Sequence, residues 1–413
     1  MDNPNSADGT HDASGASNQP YVPPFRRKSP LRWVYYGVGI LVLLGLASLV
    51  VQLVFGDARQ AVTETRDTKP STDTPGFTTQ VLVPGLAFPW DVAFLPDGRM
   101  LYVERSGTLN VYQNEHVRTA VIPAVVARGE GGLMGLAVDP QFEQNRSIYL
   151  CFNSTSSDIR VVRWRLEADL SPSTGQPIIT GIPANPRGRH SGCRIGFGPD
   201  GNLWVSTGDT AQGDTAIRPG SLGGKILRVT RDGKPVAGNL SGDFDPRIFS
   251  YGHRNVQGLA FFPGTKHDVA GLSVEHGSDR DDEVNELRRG NFGWAPPAEG
   301  YDESVPMTDT GRFPDAIKAI WSSGLPTQAP SGGAIIRGSA WKGWNGSLAM
   351  AVLKDQHLKI LRLDENNKVV KEERVLAGTY GRLRSVTQGP DGSLYLTTSN
   401  GTDDKIIKLT PKP

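Results

Sequence analysis

An excess of charge of either sign is missing from this chain. Lys and Arg number 44 against 43 Asp and Glu, a formal net charge of +1 over 413 residues. A surface built to hold a polyanion needs a basic surplus, so nucleic acid is excluded as an expected partner. Cysteine is nearly absent, with only Cys151 and Cys193. An even count outside the cytoplasm favours a disulfide, while two small buried hydrophobes would read the same, and sequence leaves the geometry open. Helical periodicity is also nearly absent beyond about residue 78. Gly 49 and Pro 30 suit a turn-rich, all-β chain better than a helical one.

One stretch lacks charge altogether: WVYYGVGILVLLGLASLVVQLVF, residues 33–55. At about 1.5 Å rise per residue, 23 residues span roughly the 30 Å hydrocarbon core of a bilayer. Arg26, Arg27, Lys28 and Arg32 precede it and favour a cytoplasmic N-terminus. The run is longer than the apolar region of a cleaved signal peptide. No convincing A-x-A site follows, and no cysteine follows to carry a lipid. The expected organisation is a disordered cytoplasmic tail (1–31), a single transmembrane signal anchor (32–55), a flexible linker (56–76) and an extracytoplasmic domain (77–413) on the cell membrane.

Within that domain one unit recurs: a turn built on Gly or Asp, then a short strand rich in β-branched and aromatic residues. It appears as FLPDGRMLYVER (94–105), AVDPQFEQNRSIYLCF (137–152), FGPDGNLWVSTGD (197–209), FFPGTKHDVAGLSVEHG (261–277), WNGSLAMAVLKD (344–355) and QGPDGSLYLTTSN (388–400). Six such units predict an all-β, six-bladed β-propeller with four strands per blade. A sandwich would not demand six similar turns. The gaps between units are uneven, so loops of very different length collect on one face, where function is expected. KIIKLTP (405–411) and FTTQVLVPG (77–85) are the expected partners for ring closure, which removes exposed sheet edges.

Four clusters carry possible chemistry. Glu130 lies in the glycine-rich GEGGLMGLAVDP, where backbone can approach a ligand, although a turn carboxylate in water is commoner. His190 precedes a strand–turn–strand that ends on Asp209. The pair is either a base with an orienting carboxylate or two polar residues closing a hairpin. Asp279, Asp281, Asp282 and Glu283 are oxygen donors beside Gly277 and Gly290, suited to a hard cation or to a solvated acidic loop. Lys354, Arg382 and Arg384 are cations reaching two blade edges. Arg382 and Arg384, two apart, would share one face of an extended strand and suit a multiply charged anion, or simply a wet surface.

In order along the chain, PWDVAFLPDG, GEGGLMGLAVDP, HSGCRIGFGPDG with STGD, GGKILRV, YGHRNVQGLAF, EHGSDRDDEVN with NFGW, APSGG and YGRLRSVTQGPDG resemble the soluble glucose dehydrogenase and aldose sugar dehydrogenase family. The resemblance covers essentially everything after residue 78. It implies a six-bladed propeller that uses pyrroloquinoline quinone (PQQ) and Ca²⁺ to oxidise a sugar at its anomeric hydroxyl. It implies His190 as general base, Asp209 as its supporting carboxylate, and Arg254 and Asn255 beside the quinone. Lys354, Arg382 and Arg384 would bind the cofactor's carboxylates. The backbone carbonyls of Gly277 and Ser278 would hold Ca²⁺, with Glu130 beside substrate and cofactor and Glu283 at a second, structural calcium site. Three positions depart from the family pattern. Arg189 stands where glucose-oxidising members carry an aspartate, Ser278 replaces a proline, and Leu325 replaces a tryptophan at the sugar pocket. The implied partners are a small sugar and an unidentified electron acceptor. The competing expectation is a non-catalytic propeller that binds a cell-surface glycan or a protein. A lactonase-type propeller is disfavoured, because bases rather than carboxylates are expected at the mouth.

Overall fold

The structure, a computed structural model, describes residues 74–413 except 123, 168, 170 and 265–268. The expected tail and membrane anchor, and the linker up to residue 73, lie outside the described residues. Among the described residues no helix is long and apolar enough to cross a membrane.

The described residues form 25 strands in six sheets. After β1 (Phe77–Leu86), the first blade is β2 to β5: Pro89–Phe94, Met100–Glu104, Thr108–Gln113 and His116–Val121. The second is β6 to β9: Leu133–Val138, Ser147–Asn153, Asp158–Arg165 and Gln176–Pro183. The third contains β10 to β13: Gly192–Phe197, Leu203–Thr207, Lys225–Val229 and Ile248–Tyr251. In the fourth, β14 (Val256–Phe261), β15 (Gly271–Glu275) and β16 (Glu283–Glu286) are completed by β18 (Trp321–Ser322). Between them, β17 (Gly290–Asn291) leaves to pair in parallel with β13, giving the third blade a fifth strand that four-stranded blades do not predict. The fifth blade is β19 to β22: Pro330–Ile335, Leu348–Val352, His357–Leu363 and Val369–Val375. The sixth is β23 (Leu383–Gln388), β24 (Leu394–Thr398) and β25 (Asp404–Pro411), and its outer edge is β1.

The expected closure therefore forms, from Phe77 opposite Pro411 to Leu86 opposite Asp404. It completes the last blade rather than joining the first. The innermost strands β2, β6, β10, β14, β19 and β23 each touch the next around the ring.

Position within a blade explains composition. Second strands are covered on both sides by neighbouring blades, so SIYLCFN, LWVST, LAMAV and LYLTT are buried at every residue instead of alternating. Outermost strands meet water, so HVRTAV is almost wholly exposed. Cys151 on β7 and Cys193 on β10 form a disulfide, tying blade two to blade three.

Antiparallel order within a blade sorts the loops. Connections between first and second strands, which hold all six repeated turns, fall on one face. Connections into each first strand, and between second and third strands, fall on the other. Every residue expected to have a function sits in this second set of loops or at the strand ends beside them, Glu283 as the first residue of β16.

Candidate active site

At the second face a cavity of about 350 Å³ is lined by Glu130, His190, Arg254, Asn255, Gly277 and Ser278 among others. That volume suits a small organic molecule.

His190 holds the left-handed backbone conformation, φ 49°, just before β10. For a residue with a Cβ this costs roughly 1 kcal/mol, so the surroundings must hold it there. Gly188, at φ +74°, helps by letting the chain pass against Arg128, whose carbonyl oxygen a Cβ would meet at 1.7 Å. The disulfide at Cys193 anchors the same segment. Nδ1 of His190 lies 2.7 Å from Asp209 Oδ1. Asp209, fully buried beyond the end of β11, also accepts from the Ala211 amide at 2.8 Å, the Trp294 indole at 2.6 Å and the Tyr301 hydroxyl at 2.7 Å. Its own amide donates to the Arg254 carbonyl at 2.8 Å, which sets blade three against blade four. The two side chains therefore meet at the cavity wall, His190 lining it and Asp209 buried behind. Nε2 of His190 has no partner among the described residues, which suits it to accept a proton.

Glu130 is not a free turn carboxylate. It accepts from the Ser191 amide and, at 3.2 and 3.3 Å, from Asn255 Nδ2. Asn255 Oδ1 accepts from the Gly192 amide at 3.1 Å. These bonds join the loops entering β6, β10 and β14. Arg254 is buried, donates to the His276 carbonyl at 3.2 Å and to Glu303 at 3.1 Å, and lies 5.6 Å from the Trp294 ring.

The three cations separate. Arg384 is buried, stacks 3.8 Å over Trp90, and donates to Gln257 Oε1 at 3.1 Å and to Ser331 Oγ at 3.3 Å. Burial, with nearby Arg382, Arg194 and Arg105, pushes its guanidinium down to about 9, against the opposing pull of Glu130. Lys354 is exposed and reaches the cavity-lining Thr327 hydroxyl at 3.3 Å. Arg382 is exposed just ahead of β23. Arg382 precedes β23 by one residue, so only Arg384 is a strand residue, and the register of β23 slips between Leu383 and Ser385.

The acidic run also separates. Asp282 is buried and takes the amides of Gly277 at 2.9 Å, Ala329 at 3.0 Å and Gln328, which fixes the loop bearing the Gly277 and Ser278 carbonyls. Burial raises its carboxyl above the usual range, although those amides oppose the shift. Glu283 does not line the cavity. It is buried among Asn285 and Thr308, and burial, then the nearby Glu275 charge, pushes its carboxyl up to about 8. Among the described residues no three His, Cys, Asp or Glu side chains cluster as a metal site.

Sequence reasoning missed Trp294 and Tyr301, which reach Asp209 from 85 and 92 residues away. It also missed His276, whose imidazole lines the cavity. Burial, then the charges of Arg384 and Arg254, hold it far below its ordinary value and therefore neutral.

Comparison with known proteins agrees with this geometry. Residues 86–408 match the family model "Glucose / Sorbosone dehydrogenase". An uncharacterised Synechocystis protein is 33% identical over 79% of this chain and 85% of its own length. The aldose sugar dehydrogenase YliI of Escherichia coli is 31% identical over 81% of this chain and 92% of its own. The PQQ-bound structure of aldose sugar dehydrogenase from Streptomyces coelicolor superposes with TM-score 0.68 at 32% identity, covering 82% of this chain and 100% of that one. Family model, relatives and fold coincide: the chain belongs to the glucose/sorbosone dehydrogenase family of enzymes.

Proposed function

We propose that this protein is a PQQ-dependent aldose dehydrogenase in which His190 takes the proton of the sugar's anomeric hydroxyl. The observation that carries the reading is a contrast within one cavity. A base hydrogen-bonded to its carboxylate shares the cavity wall with Arg254 Nε, His276 Nε2 and Ser278 Oγ, all buried without a hydrogen-bond partner among the described residues. Arg384 Nε is a fourth such atom, reached through Gln257, which also bonds Glu130 and Asn255. Buried polar atoms are ordinarily satisfied, so these fit an oxygen-rich, anionic cofactor.

Arg254, Asn255, Lys354, Arg384 and, at the rim, Arg382 would hold such a group. The Gly277 and Ser278 carbonyls would offer oxygen ligands to Ca²⁺ at its edge. When bound, the quinone supplies the acceptor for the hydride of the anomeric C–H. The protein's own part is proton chemistry and positioning. Asp209 orients the imidazole and stabilises it as it takes the hydroxyl proton on Nε2, and the sugar leaves as a lactone. Arg254 places positive charge where negative charge develops. Arg189 and the exposed Leu325 alter the substrate side, so an aldose other than glucose is proposed. The uncharged run at 33–55 would keep the enzyme on the membrane with its propeller outside the cytoplasm, passing electrons to an acceptor there.

The test is titration of the full chain with PQQ, with and without Ca²⁺, followed by an aldose panel with an artificial acceptor. Saturable, Ca²⁺-dependent binding that Arg384→Ala weakens about ten- to a hundredfold is expected. No binding at micromolar PQQ would return the protein to the glycan- or protein-binding alternative.

A further inference from the structure

Between β17 and β18 the chain makes a long excursion, and two residues of it, Trp294 and Tyr301, reach Asp209, Tyr301 alone of the two also approaching His190. Its hydroxyl donates to Asp209 Oδ2 at 2.7 Å and lies 3.1 Å from His190 Nδ1. A phenol has one proton, and here the carboxylate takes it. Only the oxygen lone pair then faces the imidazole. Nδ1 therefore looks at two acceptors, Tyr301 Oη and Asp209 Oδ1, and an unprotonated Nδ1 would face both without a hydrogen to share. We propose that Tyr301 is a positioning residue for the dehydrogenase reaction, one that together with Asp209 holds His190 as the Nδ1–H tautomer and leaves Nε2 bare.

The excursion is fastened by the residue that departs from the family pattern. Arg189 pairs with Glu303 at 2.6 Å and lies 6.0 Å from the Tyr301 ring, while the other Glu303 oxygen takes Arg254 at 3.1 Å. Arg189 thus pins the tyrosine from outside while Arg254 holds the same carboxylate from within. An aspartate at position 189 would repel Glu303 and could not make this clamp. Burial and the adjacent Asp209 charge raise the Tyr301 phenol well above its ordinary range, so the donor persists at alkaline pH.

The role rests on the proposed function for its meaning, but its test separates the two. Full-length protein labelled with ¹⁵N-histidine, without cofactor, gives long-range ¹H–¹⁵N spectra in which His190 is assigned by loss of its signals in His190→Gln. Wild type should show the pure Nδ1–H pattern, and Tyr301→Phe a mixture of tautomers. In the PQQ-loaded enzyme, Tyr301→Phe should lower kcat about tenfold with KM changed less than about twofold, the size of one lost hydrogen bond felt in the transition state. A pure Nδ1–H pattern in Tyr301→Phe would overturn the proposal, as would an unchanged kcat. If Tyr301→Phe does not fold, the double variant Arg189→Gln/Glu303→Gln, which frees the excursion but keeps the phenol, decides. Tautomer mixing supports the lock and its absence refutes it. Wild type that oxidises no aldose would sink the proposed function, while the spectra would still decide the tautomer.

Discussion

The two faces of this propeller were built under different rules. On one, the turns joining first and second strands are short variants of a single theme, with glycines at 98, 201 and 392 adopting φ between 71 and 85°. On the other, the connections range from hairpins to the excursion between β17 and β18, and buried charge accumulates: Asp209, Arg254, Asp282, Glu283 and Arg384. Repetition marks where the chain needs only to reverse. Irregularity marks where side chains from four blades must meet in one cavity, and each needs a different reach.

Substitutions on the two faces should separate in kind as well as size. The largest effect is expected for His190→Gln, which should lower kcat by roughly 10² to 10⁴ while leaving the thermal midpoint nearly unchanged; steady-state kinetics beside calorimetry would check both. Next, replacing Cys151 and Cys193 together by serine should cost about 2–4 kcal/mol of stability, because the bridge restrains a long loop between two blades. Denaturant unfolding of oxidised wild type beside the double variant measures it, and equal midpoints would mean that the ring holds His190 unaided.

A smaller and pH-dependent effect is expected at Glu283. Its folded carboxyl keeps its proton up to about 8, against an ordinary 4.5. Its contribution is therefore complete below the ordinary value and is lost as pH rises through 8. Glu283→Gln, which cannot ionise, should melt like wild type at pH 4 and above it at pH 9. The smallest effect belongs to the turn face: Gly201→Ala, at φ 71° with open space around its Cβ, should cost about 1 kcal/mol and leave kcat unchanged. A loss of activity there would break the division between faces.

The turn face was also the legible one. PDG at 96–98, 199–201 and 390–392 states a local rule, so blade number and closure followed from counting turns. The dyad could be named because only the short β10–β11 hairpin separates His190 from Asp209, and hairpins return the chain to its start. Tyr301 and Trp294 were illegible because no periodicity governs an excursion. The different burial of Arg382 and Arg384 was illegible because a period-two reading assumes one unbroken strand, whereas β23 begins only at Leu383 and its register shifts directly after. Asp282 and Glu283, adjacent acids, diverged for the same period-two reason: one turns to backbone amides in its loop, the other begins β16 and points into the blade.

The pairing of β1 with β25 has one more consequence. It places Phe77 opposite Pro411, so the two ends of the propeller are already neighbours in one sheet. Joining them with a short linker and opening the chain between two blades, at the β1–β2 connection, should give a circular permutant in which every blade is contiguous. Such a chain would no longer have to wait for its final strand before its first one finds a partner.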